Sequence, residues 1–89
     1  MKTHIEYGWA RKREQINELL PALIKSLKKG ESLSWPWLKS KVREGLDLKQ
    51  GFEQNCVHSM VYCWAKKFVA TGNYEIIVED NVKYIKRIK

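Results

Sequence analysis

The sequence predicts an α+β fold in which three helices precede a C-terminal β-hairpin. Three observations carry this reading. Ile16, Leu19, Leu20, Leu23, Ile24 and Leu27 form one unbroken apolar stripe at helical spacing. Val57, Met60, Val61, Trp64 and Phe68 form a second, at i, i+3, i+4, i+7 and i+11. Two runs rich in β-branched and aromatic residues, Tyr74 to Glu79 and Val82 to Ile88, then flank Asp80-Asn81, which suits a tight two-residue turn.

At 89 residues the chain makes one small domain. It is 44% hydrophobic and carries four Trp, four Tyr and two Phe, which supports a modest core rather than disorder. No apolar run approaches the roughly 18 residues needed to span a bilayer. Met1 to Ala10 places His4, Glu6 and Gly8 where a signal peptide would be apolar, so the expected compartment is the cytoplasm. The net charge of +7 biases the chain toward anionic partners: DNA, RNA or an anionic membrane surface.

The first segment, Met1 to Arg13, has two readings. Thr3 and Glu6 have capping-box spacing, so a helix can begin at His4. The Arg11-Lys12-Arg13 run is then either a solvated helix start or an arm for phosphates. Glu14 to Lys29 is expected as the first full helix, closed by Gly30, with Pro21 either bending it or marking its true first turn. Lys25, Lys28 and Lys29 would complement the negative end of its dipole.

Glu31 to Leu33 is expected as a brief extended segment able to pair with a later strand. Ser34-Trp35-Pro36 opens a second helix, capped by Ser34 or Trp35, running to Glu44 and ended by Gly45. Its buried face is Trp37 or Leu38 with Val42, and the tryptophans are expected in the core. Leu46 to Phe52 is a turn or a loose helix start in which Asp47 and Gln50 can cap, and Gly51 delays the third helix. That helix covers Glu53 to Thr71 and stops at Gly72-Asn73. The hairpin register implied by the turn sets Ile76 opposite Ile85, Ile77 opposite Tyr84 and Glu75 opposite Lys86.

The two cysteines, Cys56 and Cys63, are about 10 Å apart along the helix axis, too far for an internal disulfide. They are expected as small, buried or half-buried thiols in a reducing compartment. A zinc site built from them and His58 lacks paired ligands at short spacing, so no metal and no cofactor is expected. Enzyme chemistry is not expected either. His4 and His58 are the only histidines, no nucleophile and base are arranged together, and no glycine loop cradles phosphate.

The outer side of the third helix is different in kind from its apolar side. Asn55, Ser59, Tyr62 and Lys66 lie opposite the apolar stripe, with His58 at the edge. A major groove admits one α-helix and displays a distinct donor and acceptor pattern for each base pair. The Gln54 and Asn55 amides can pair with adenine, Ser59 and His58 can bond several base edges, and Tyr62 can reach a phosphate or a thymine methyl. Lys41, Lys49 and Lys66 are placed for phosphates, which set register and much of the affinity. Lys83, Lys86, Arg87 and Lys89 at the end of the chain either follow the DNA backbone or protect a strand edge.

Three helices followed by a terminal hairpin resemble the winged helix-turn-helix family, over Glu14 to Lys89 and most clearly over Val57 to Lys89. The resemblance implies a third helix in the major groove of double-stranded DNA, with Gln54, Asn55, His58, Ser59 and Tyr62 facing bases. It also implies a hairpin wing against the backbone, with Lys83 near its tip. The expected function is therefore a small, sequence-specific transcriptional regulator, with Ile5, Tyr7 and Trp9 available for a homodimer contact. The alternative is a protein-interaction module of the same fold, docking a partner through Tyr62, His58 and the tryptophans. RNA binding is disfavoured because the aromatics do not lie on an exposed sheet.

Overall fold

The element order is α1 (His4–Lys25), β1 (Ser32–Ser34), α2 (Trp35–Gly45), α3 (Phe52–Val69), β2 (Tyr74–Glu79) and β3 (Val82–Arg87). The computed structural model describes residues 4–46, 48 and 51–89, with side chains from Trp9 onward. The Thr3–Glu6 and Asp47–Gln50 capping pairs, Lys49, and the side chains of Ile5 and Tyr7 lie outside the described residues.

The first helix is longer at its start and shorter at its end than expected. It begins at His4, so Arg11, Lys12 and Arg13 lie within its body and are not an arm. Pro21 is inside the helix. The loss of its N–H is tolerated because fully buried Ile16, Leu20 and Ile24 anchor the helix on both sides of it. Beyond Lys25 the stripe turns inward at buried Leu27. The Lys28 N–H donates to Glu31 Oε1 at 2.7 Å. The Glu31 N–H returns to the Lys28 carbonyl at 2.9 Å. Lys28 and Lys29 therefore belong to a turn and not to a helix end. Gly30, at φ +90°, makes the chain reversal, and its N–H reaches the Arg87 carbonyl at 2.8 Å.

The short extended segment does find a later partner. β1 pairs antiparallel with β3, Leu33 opposite Ile85, and the sheet order is β1-β3-β2. Ser34 caps α2 by accepting the Trp37 N–H at 3.1 Å. Trp35, Leu38 and Val42 share the inward face of α2 at i, i+3 and i+7. Trp37, two residues past Trp35, therefore points outward and is 39% exposed. The expectation that Trp37 belongs to the core is corrected on this ground.

α3 starts after Gly51, which takes φ +82°. Its buried line is Glu53, Val57, Val61 and Ala65. Met60, Trp64 and Phe68, expected at the centre, flank that line and are half-buried. The helix is rotated because Ala65 permits close approach and Glu53 meets a cation from α1. Lys12 Nζ is 3.1 Å from Glu53 Oε1. Trp64 bridges helices: its indole N–H donates to Asn17 Oδ1 at 3.0 Å. Cys56 is half-buried but Cys63 is exposed, because position 63 falls on the outer side of this rotated helix.

The helix ends where Gly72 adopts φ +84°, and β2 follows. The hairpin has the expected register: Ile76 faces Ile85, Ile77 faces Tyr84 and Glu75 faces Lys86. Asp80 and Asn81 both take positive φ, 50° and 65°, as a two-residue turn of this hand requires. Fully buried Ile85 on central β3 ties the sheet to the helices. Phe68 and Tyr74 meet edge to face with centroids 5.1 Å apart, which fixes the start of the hairpin against α3. Among the described residues, no helix is long and apolar enough to cross a membrane.

Candidate nucleic-acid interface

Once Val57, Val61 and Ala65 are buried, helical geometry turns the residues between them outward. Asn55, His58, Ser59, Tyr62 and Lys66 are all exposed, and Gln54 is half-buried. The five sequence-derived base-contacting candidates thus lie on one helix, and neither the hairpin nor another helix hides Asn55, His58, Ser59 or Tyr62.

The hairpin meets this face at Tyr62. Lys66 Nζ lies 5.2 Å from the Tyr62 ring centroid and Lys83 Nζ lies 5.6 Å from it. Two ammonium groups, one from α3 and one from β3, thus gather around a single ring whose quadrupole attracts both. Tyr62 is 42% exposed, so neither charge is taken out of water. The turn beyond Lys83 carries Asp80, the acidic residue at the hairpin tip.

On the other flank, α2 contributes two cations that are not among the sequence-derived phosphate candidates. Lys39 and Arg43 line a pocket of about 270 Å³ together with Gln54, Asn55 and His58, with Val57 among its lining residues. Lys39 Nζ is 3.4 Å from His58 Nδ1. An ammonium can only donate, so His58 Nδ1 is the acceptor in this long contact. The signal for Lys39 and Arg43 was present: they are four residues apart, each one position after a buried residue of α2.

Lys41 stands apart from both clusters. Its Nζ is 3.6 Å from Glu44 Oε1 and 5.3 Å from the Trp37 ring centroid. Such an exposed pair is worth about 0–1 kcal/mol, so it holds Lys41 only weakly. Arg87 is committed within the fold. It donates from Nη1 to the Leu27 carbonyl at 2.8 Å and from Nε to the Lys89 carbonyl at 2.9 Å. It therefore closes the end of the α1 segment and is removed from the set of chain-end cations free to follow DNA.

Trp9, expected to serve self-association, packs edge to face on Phe52 with centroids 5.8 Å apart. No group of three or more His, Cys, Asp or Glu suited to a metal occurs among the described residues. No protein-family model matches this chain, and neither a curated protein nor a solved structure does.

Proposed function

We propose that this protein binds double-stranded DNA sequence-specifically as a winged helix-turn-helix domain, with α3 in the major groove and the β2–β3 hairpin as its wing. The carrying observation is that one exposed polar helix face is bordered by cations on both sides. Lys39 and Arg43 come from α2, and Lys66 with Lys83 comes from the joint with the hairpin. The strand and helix order, with β1 closing the sheet beside β3, supports the same architecture.

In this reading Asn55, His58 and Ser59 contact base edges and Gln54 supports them from the pocket edge. Lys66 and Lys83 hold one phosphate strand, with Tyr62 setting the spacing between them and offering its hydroxyl. Lys39 and Arg43 hold the strand on the other side. The role is that of a small transcriptional regulator in a reducing, cytoplasmic setting, where two free thiols persist.

The test is selection of bound fragments from a random duplex library at two salt concentrations. Enrichment of a common sequence at both supports the proposal. Binding without enrichment, lost completely at the higher salt, leaves only a basic surface and rejects sequence-specific readout.

A further inference from the structure

A second surface lies on the side of α3 that faces α1, and it borders the polar face described above through Asn55 and Ser59, which line both. One stripe of α1, from Trp9 through Arg13 to Asn17, runs beside a stripe of α3 from Phe52 to Lys67. Between them is an open groove of about 800 Å³. Phe52, Met60, Trp64 and Trp9 give it an apolar lining, and Phe52 is 67% exposed. An exposed phenylalanine beside two tryptophans is unusual on so small a domain, and contiguous apolar surface of this kind marks an interaction site. The contacts keep chain order on both helices, Trp9 with Phe52 and Asn17 with Trp64, so the two stripes run in the same direction.

Charge decides the occupant. Arg13 and Lys67 line the groove, and no carboxylate does so among the described residues. Glu14 borders a neighbouring depression instead. A second copy of the chain carries a net charge of +7 and brings the same cations to the contact, so self-association is opposed. Nucleic acid would gain the cations but would have to cover an apolar lining with phosphate. We infer that this groove docks an amphipathic helix from a protein partner, with an apolar stripe seated on Phe52, Met60 and Trp64 and acidic residues facing Arg13 and Lys67. Two parallel helical stripes make a seat for a third helix, the helix-in-groove mode of recognition. The inference does not depend on DNA binding, since the full groove is present in the isolated chain.

The probe is a synthetic helical peptide with leucines at i, i+3, i+4 and i+7 flanked by glutamates, titrated into the full chain without DNA. Trp9 and Trp64 fluorescence and amide chemical shifts report the site. The expected result is saturable binding with shifts centred on Phe52, Met60 and Trp64. Phe52→Ser, at a largely exposed position, should weaken it about tenfold. Lys67→Glu should weaken the acidic peptide about threefold to tenfold and favour a lysine-flanked version. Each variant is checked for an unchanged far-ultraviolet spectrum and melting temperature. The inference is overturned by an absence of shifts in the groove, by equal binding of acidic and lysine-flanked peptides, or by self-association of the free chain that Phe52→Ser abolishes.

Discussion

Replacing Lys12 by methionine removes the ammonium held 3.1 Å from Glu53 Oε1 while keeping most of the aliphatic stem. The two side chains are 24% and 5% exposed, so Glu53 is buried while Lys12 keeps partial access to water. Breaking a fully buried pair costs about 3–5 kcal/mol, whereas an exposed pair is worth about 0–1 kcal/mol. The intermediate setting places the Lys12→Met cost at about 1–2 kcal/mol. The partial exposure of Lys12 keeps the cost below the buried limit. For a domain of this size that corresponds to a fall in Tm of about 4–16 °C. Thermal unfolding of Lys12→Met, Glu53→Gln and the double variant measures the coupling directly. The pair is partly shielded, so the coupling should survive high salt in large part. A coupling near zero, or one abolished by salt, would refute the view that this pair sets the rotation of α3 against α1.

Several other expectations can be checked with the same protein. Lys66→Ala and Lys83→Ala should each lower the slope of log K against log salt by about 0.9 in duplex binding, because each removes one phosphate contact. An unchanged slope for both would remove the Tyr62 joint from the interface. Asn81→Val should cost about 1–2 kcal/mol, since its backbone sits at φ 65°, whereas Asn81→Gly should be neutral or better. Equal stability of the two variants in urea would contradict the turn. Trp64→Phe should cost about 0.5–1.5 kcal/mol through loss of the hydrogen bond to Asn17. Leu20→Ala, at a fully buried position, should cost about 2–5 kcal/mol. The reverse order in denaturant melts would show that Trp64, and not Leu20, lies at the centre of the core.

The hairpin was legible because turn chemistry and side-chain alternation are local, and they agree. Asp80-Asn81 tolerates the required φ, and the register then sets Ile85 inward without further choice. The partner of β1 was legible only as a possibility, since a three-residue strand carries no pattern of its own. What stayed hidden depends on contacts far apart in sequence. Glu53 looks like a surface residue until Lys12, 41 positions earlier, is placed beside it. Ala65 scores poorly as a core residue by hydrophobicity, yet its small size lets α3 approach its neighbours. Those two residues rotate the helix by a fraction of a turn, and Trp64 and Met60 move to its flank. Arg87 was misread for the same reason, because its acceptor at Leu27 is distant in the chain. On the candidate interface, the outward residues of α3 were legible from periodicity alone. The outward position of Lys39 and Arg43 was legible in the same way, but which helix they face was not.

The central claim is that the outward amides of α3 read base pairs. The most direct measurement is the affinity ratio between an enriched duplex and a scrambled one, for wild type and Asn55→Ala, at about 50 and 200 mM salt. The account predicts that Asn55→Ala shrinks this ratio by about 5-fold to 150-fold, equivalent to about 1–3 kcal/mol, while leaving affinity for the scrambled duplex and its salt slope nearly unchanged. A ratio close to one in wild type, or a ratio that Asn55→Ala does not alter, would contradict it.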